Sequence, residues 1–393
     1  MKILYISSMN PEGLYGGNLS TKKIYKLLKK INEEKENIKI KYIFPGNSEK
    51  KDDTLFLKKN KLNTYISRIF KYPEFMGFYK KKILKYIDDY KPNTIILGSS
   101  RLGFLAKEIK KTSKEIKIIT NFENFELEFS KAFVKNRLPK FLWNYELDIV
   151  KKSEKNAILY SDSFIFLTKN DFINIQKYYN LKINNKLILP HLIEDPLKNI
   201  DCEINCKNNS DKIKLIFTGS MNYYPNVEGS LFLIENFEKM KDINPYIELT
   251  LAGRNPEKVL YNKIKEYNLK DIHIISNPTK EQMTFLMLNS DIFISPVFQG
   301  SGMKTKVLDA ISYGLPVLAS EHSLIGYEKI KKDFPIVLFK DSKTDFLEKF
   351  TKIINYYNLY NKKDIFSMSR KLFLNNYTID AFYSIFEDYI INR

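Results

Sequence analysis

Residues 291–320, DIFISPVFQGSGMKTKVLDAISYGLPVLAS, hold the densest group of residues able to do chemistry. Ile292 to Ser295 reads as a buried strand, Pro296 breaks it, and Gly300, Ser301 and Gly302 follow in succession. From Met303 the apolar residues Met303, Val307, Ala310 and Ile311 fall at helical spacing, Gly314 stops the helix, and Pro316 to Ala319 reads as the next strand. Such a unit suits an anion. Glycines let backbone amides approach a ligand closely, the helix N-terminus carries partial positive charge, and Lys304 and Lys306 add full charges. Asp309, on the second turn, can accept hydrogen bonds from hydroxyls of whatever the loop holds. Phosphate plus vicinal hydroxyls describes a nucleotide, although a plain glycine-rich turn before a helix would use the same residues.

The run GSGMKTKVLDAISYGLPVLAS resembles the donor-site signature of family-four (group 1) retaining glycosyltransferases with the GT-B fold, of the surface or capsular polysaccharide type. In that family two acidic residues eight positions apart usually flank the loop, one on the donor sugar and one on the ribose. Asp309 matches the second, and Ser301 stands where the first would be. The chain thus resembles the subgroup with a Gly-Ser-Gly-Met-Lys loop. The resemblance implies that Gly300, Ser301, Gly302 and Met303 bind the donor diphosphate, and that Lys304 stabilises it as it leaves.

A second stretch with chemistry in it, TNFENFELEFSKAF, follows an expected strand at Ile116 to Thr120. Ligands of open α/β sheets bind beyond the carboxyl ends of strands, which puts Glu123, Asn124 and Glu126 where a substrate hydroxyl would lie. An acidic first turn stabilising the next helix is the other reading. In the resembled family this segment commonly reads His-Asn-x-Glu. Asn124 and Glu126 match as acceptor-side residues, and Glu123 stands in the place of the histidine, able to serve as acceptor or base. Arg254, the only arginine between Arg137 and Arg370, ends another expected strand and can grip phosphate oxygens in a bidentate fashion or sit in a surface salt bridge. Gly16 and Gly17 close a loop between an opening strand at Lys2 to Ser7 and a helix capped by Ser20. The resemblance gives that Gly-Gly pair to the donor phosphates, from across an interdomain cleft. Family members often also offer Arg and Lys from the loop that here reads SMNYYPN, and neither is present.

Strands and helices alternate along the whole chain, which predicts α/β architecture with parallel sheets covered on both faces. The fold class implied is GT-B, two Rossmann-like doubly wound parallel-sheet domains facing a cleft. The expected organisation is an N-terminal acceptor-side domain over residues 1–195, a polar linker over 196–212, and a donor-binding domain over 213–375. The last helix, 376–393, is expected to pack back on the first domain. The segment NSEKKDDTLFLKKNKLNTYISRIFKYP mixes lysine with Leu, Ile, Tyr and Phe, and reads either as a surface loop and helix or as an acceptor- or membrane-facing arm.

At 393 residues with 44% hydrophobic content the chain can bury a large core. Its two cysteines and three histidines have no zinc-ligand spacing, so neither a metal nor a cofactor is expected beyond the donor substrate. No apolar run of spanning length and no signal-peptide core occurs, so a cytoplasmic protein is expected. Residues 1–200 hold 39 Lys+Arg against 22 Asp+Glu, whereas 201–393 hold 25 against 24. Such diffuse lysine fits peripheral contact with an anionic membrane at least as well as nucleic acid, and solvated helix faces as well as either. There is no Arg-rich or aromatic stacking pattern for nucleic acid, which is not expected as a partner. The function implied is transfer of a hexose-type sugar from a UDP- or GDP-linked donor to a hydroxyl of a lipid-linked or other surface glycan. A non-catalytic scaffold of the same fold and a nucleotide-sugar epimerase remain the alternatives.

Overall fold

The computed structural model describes residues 1–13, 18–47, 50–198, 212–300, 302–340 and 342–392. The chain divides into two compact units, Met1–Ile193 with Phe382–Arg393, and Glu194–Ala381. The expected linker, both cysteines, Gly16, Gly17 and Ser301 fall wholly or largely outside the described residues.

Unit 1 runs β1 (Lys2–Ile6), α1 (Asn18–Glu34), β2 (Lys39–Pro45), β3 (Lys50–Lys51), β4 (Thr54–Leu57), α2 (Lys61–Ile69), α3 (Lys80–Tyr90) and β5 (Thr94–Leu97). It continues with α4 (Gly103–Thr112), β6 (Lys117–Phe122), α5 (Glu126–Arg137), α6 (Trp143–Tyr160), β7 (Ser163–Phe166), α7 (Lys169–Tyr179) and β8 (Lys186–Ile188). Its sheet has the order β3-β4-β2-β1-β5-β6-β7-β8, parallel except for the β3–β4 pair. The short strands β5 and β7 are apolar or small throughout and wholly buried, as strands covered on both faces must be.

Unit 2 runs β9 (Ile213–Ser220), α8 (Tyr224–Ile243), β10 (Ile247–Arg254), α9 (Lys258–Glu266), β11 (Ile272–Ser276), α10 (Lys280–Leu288) and β12 (Ile292–Ser295). After them come α11 (Thr305–Ser312), β13 (Val317–Ser320), β14 (Ile336–Phe339), α12 (Lys343–Leu359) and α13 (Lys362–Asn376), and the chain ends in α14 (Ile379–Ile391), which passes into unit 1 at Phe382. The sheet order is β11-β10-β9-β12-β13-β14, all parallel. Both sheets reverse direction beside their first strand, between β1 and β5 in unit 1 and between β9 and β12 in unit 2. Loops leaving adjacent strands diverge at such a point and open a crevice at the carboxyl ends.

The last turns of α14 belong to unit 1 by specific bonds. The Tyr389 hydroxyl accepts from Phe164 N at 2.9 Å and lies within donor reach of the carbonyls of Phe164 and Asn185. Lys35 pairs with Glu387 at 2.8 Å.

Candidate functional site

The unit 2 crevice is built first by serines. Ser323 Oγ donates to Ser295 O at 2.7 Å, Val297 N donates to Ser323 Oγ at 3.3 Å, and Ser320 Oγ reaches Val297 O at 2.5 Å. These buried bonds fix the chain as it leaves β12. Beyond them Gly300 and Gly302 take φ of +100° and +71°, left-handed values that a side chain would strain. Their carbonyls are turned toward side-chain nitrogens. His322 Nε2 lies 2.6 Å from Gly300 O, and Lys304 Nζ donates to Gly300 O at 2.9 Å and to Gly302 O at 3.0 Å. Tyr327 holds the Lys304 carbonyl at 2.8 Å, and Met303 packs against Gly326.

Lys304 occupies the cap of α11 and makes no side-chain cap bond to its first-turn amides. A helix start of this kind can receive an anion, with one difference from the expectation: Lys304 braces its own loop. The cation aimed elsewhere is Lys306. Its ammonium reaches over the Phe217 ring at 4.4 Å and bonds Asn226 Oδ1, while Asn226 Nδ2 donates to Ser220 O at 2.9 Å. Gly219 leaves the room, since a Cβ there would lie 3.1 Å from Lys306 Nζ. Burial pushes Lys306 down to about 7, Lys304 adding to the push and Asp309 opposing it. Asp309 keeps an exposed face on α11, yet the protein around it pushes its carboxyl up to about 6, with Lys306 pulling the other way. Arg254 ends β10 directly beside Ser220, is exposed, and has no ion pair among the described residues.

In unit 1 the crevice lies over β1, β5 and β6. Asn121 Nδ2 bonds Ser20 Oγ and Gly98 O, each at 3.1 Å, tying α1 to two strand ends. Glu123 follows, half-buried, and is pushed up to about 8 by burial and by Glu126, with Lys23 and Ser20 opposing. The sequence reading missed Lys23. It lies at an apolar-stripe position of α1 with Ile24, Leu27, Leu28 and Ile31, and that spacing is the signal that would have found it. Burial of those four side chains, at roughly 1.5–3 kcal/mol each, offsets the cost of enclosing an amine. Its ammonium donates to Leu189 O at 2.5 Å and Pro190 O at 3.0 Å, and burial holds it down to about 7. His191 beside it is buried, its Nδ1 has no partner among the described residues, and burial and Lys23 push it down to about 3.

Two acceptor-side expectations change. Glu126 is buried and faces Arg101 at 3.5 Å, within a network where Arg101 also meets Glu74 at 2.7 Å and Glu146 at 3.6 Å, and Arg68 meets Glu146 at 2.9 Å. Asn124 bonds the Glu126 side chain. Glu126 therefore braces the loop from inside, because a carboxylate buried this deeply needs a guanidinium partner, and half-buried Asn124 helps to hold it there. Of the two carboxylates, Glu123 stays half-buried at the carboxyl end of β6.

Among the described residues no group of three or more His, Cys, Asp or Glu side chains could hold a metal ion, and no helix is long and apolar enough to cross a membrane.

Comparison with known proteins bears on the fold and on the sequence of unit 2. The profile of the family described as "Glycosyl transferases group 1" matches residues 212–355. An "uncharacterized 44.6 kDa protein in cps region" of Klebsiella pneumoniae is 25% identical over 197 residues, 48% of this chain and 47% of that one. The match thus spans about half the length of that curated relative. Among solved structures, sucrose-phosphate synthase from Thermosynechococcus elongatus superposes with a TM-score of 0.69 at 11% identity, over 99% of this chain and 98% of that one. Anabaena Alr3699/HepE in complex with UDP gives 0.67 at 9% identity over 100% of both chains. The chain has the GT-B fold, and its residues 212–355 match the group 1 glycosyltransferase family.

Proposed function

We propose that the protein is a retaining glycosyltransferase that moves a hexose-type sugar from a nucleotide diphosphate sugar to a hydroxyl of a lipid-linked surface glycan at the inner face of a membrane. The observation that carries this is the unit 2 crevice, where an uncapped helix start, two left-handed glycines, Lys304, Lys306 and Arg254 gather around one strand end, with Asp309 on the next turn. In the reaction the bond between the anomeric carbon and the diphosphate oxygen breaks, and a bond from the acceptor oxygen forms. The departing diphosphate takes the electron pair, and the amides of Gly302 and Met303 with Lys306 and Arg254 stabilise it electrostatically. Lys304 acts through the loop whose carbonyls it holds. Asp309 accepts from the ribose hydroxyls, and Glu123 receives or orients the acceptor proton. The relative from a cps region and the likeness to a UDP complex support the donor class and the glycan product.

The test is a thermal-shift screen of the purified protein against UDP-, GDP-, dTDP- and CMP-sugars, followed by NMR of the product's anomeric configuration. A ligand at about a hundred times its Kd stabilises by about 2.7 kcal/mol, a shift of a few degrees. One nucleotide sugar raising Tm, with transfer and a retained anomer, supports the reading. Binding without turnover over a panel of acceptors would favour a scaffold, which the missing acid at Ser301 would suit.

A further inference from the structure

Helix α2 is built inside out. Its buried residues are Asn63 and Ser67, whereas Leu62, Tyr65 and Ile69, at helical spacing i, i+3 and i+7, and Phe70 just beyond are 56% to 66% exposed. The inner face is held by polar bonds. Asn63 donates to Lys58 O at 3.0 Å and to Tyr79 Oη at 2.8 Å, and Ser67 bonds Phe75 O at 3.0 Å and Phe78 N at 2.8 Å. Anchoring a helix this way leaves its apolar stripe facing out, the reverse of what a surface helix in water does.

A second segment extends the patch. The Tyr145 hydroxyl donates to Arg68 O at 2.5 Å, which seats the start of α6 against the end of α2. Phe141, 81% exposed, and Leu142 and Tyr145 stand on that start. Apolar surface of this extent from two elements marks an interaction site rather than scattered exposure.

The charge around it selects the partner. Residues 58–71, KKNKLNTYISRIFK, contain five basic residues and no acid. Lys58, Lys59, Lys61 and Lys71 are exposed, as is Lys140 beside Phe141. Arg68 is occupied internally by Glu146 and by Tyr72 O. Aromatic and aliphatic side chains rimmed by flexible lysines match an interfacial membrane site, where the rings enter the headgroup region and the ammonium groups meet lipid phosphates. A second copy of the chain would bring a like-charged rim against this one.

We propose that the outer face of α2, with Phe141 and Tyr145, docks the protein onto the anionic surface of a lipid bilayer. This deepens the reading of a lipid-linked acceptor given above and rests on that reading for its biological purpose only.

The experiment is flotation of the full chain with vesicles of phosphatidylcholine alone or with about 30% phosphatidylglycerol, at low and high salt. The wild-type protein floats only with the anionic vesicles and is released by salt. Ile69→Ser/Phe70→Ser lowers the partition coefficient about tenfold, and Lys58→Glu/Lys61→Glu about thirtyfold. Because the altered side chains are exposed, both variants keep the wild-type Tm and the Tm shift with nucleotide sugar. The proposal is overturned if the wild type fails to float at low salt, if it floats equally with the neutral vesicles, or if both variants float as it does. It is overturned as well if the apolar variant turns a dimer into a monomer while still floating, since the face would then join two copies. A nucleotide-sugar shift measured on the same preparation reports on the transferase reading independently of any of these results.

Discussion

The Lys306 ammonium, from the first turn of α11, bonds the side-chain oxygen of Asn226 on the first turn of α8, whose amide in turn holds Ser220 O. One lysine thus joins the two loops that flank the switch point of unit 2 and supplies the charge that the SMNYYPN loop lacks.

Replacing Lys306 with Met should therefore weaken nucleoside diphosphate binding about tenfold or more, measured by titration calorimetry, with little effect on a nucleoside. The pH dependence has a definite sign. Lys306 is held down to about 7, and phosphate favours its protonated form, so wild-type affinity falls as pH rises through 7. Calorimetry in buffers of different ionisation enthalpy should show proton uptake on binding near and above pH 7, and the Met variant should not show it.

Asp309→Ala should cost roughly tenfold to a hundredfold in affinity for a ribonucleotide diphosphate, the worth of hydrogen bonds to a charged acceptor. The same variant and the wild type should bind a 2′,3′-dideoxy analogue equally. A loss of equal size for both ligands would place Asp309 away from the ribose.

Glu123→Gln should leave nucleotide-sugar binding intact and lower transfer about a hundredfold or more, the usual contribution of a positioned acid or base. Burial pushes the Glu123 carboxyl up to about 8. If it accepts the acceptor proton, kcat rises with pH toward 8 in the wild type and loses that limb in the Gln variant. An unchanged pH profile would remove Glu123 from the chemistry.

His191 makes a prediction about stability. Its folded pKa is depressed to about 3, below the ordinary 6.5, so the unfolded chain takes up a proton that the folded chain refuses. The stability this neutral ring retains is whole above pH 6.5 and is lost as pH falls toward 3. Between pH 6.5 and 5 the loss is about 2 kcal/mol from this residue. Urea midpoints across that range should fall more steeply for the wild type than for His191→Leu.

Much of the architecture was legible because it is local. Apolar runs beside Gly and Pro gave β12 and β13, and the opening run gave β1. Gly300 and Gly302 marked a tight loop by type alone, and the charge excess of residues 1–200 was plain from composition. What the sequence determined by itself was therefore the alternation of elements, the loop chemistry after β12, and the basic first half.

Tertiary structure decided which side chains meet. Glu126 and Glu123 look equivalent on paper, and only the approach of Arg101 from another element takes Glu126 inward and leaves Glu123 half-buried at the end of β6. Lys304 and Lys306 look equivalent too, but the left-handed turns at Gly300 and Gly302 direct their carbonyls onto Lys304, and Gly219 opens the space that Lys306 fills. The outward face of α2 follows from the same cause, since polar partners at Tyr79, Phe75 and Phe78 claim Asn63 and Ser67. Residue type and spacing fix what a side chain can do along its own helix or strand. Its partners come from segments distant in sequence, and only the folded chain brings them within a few ångströms.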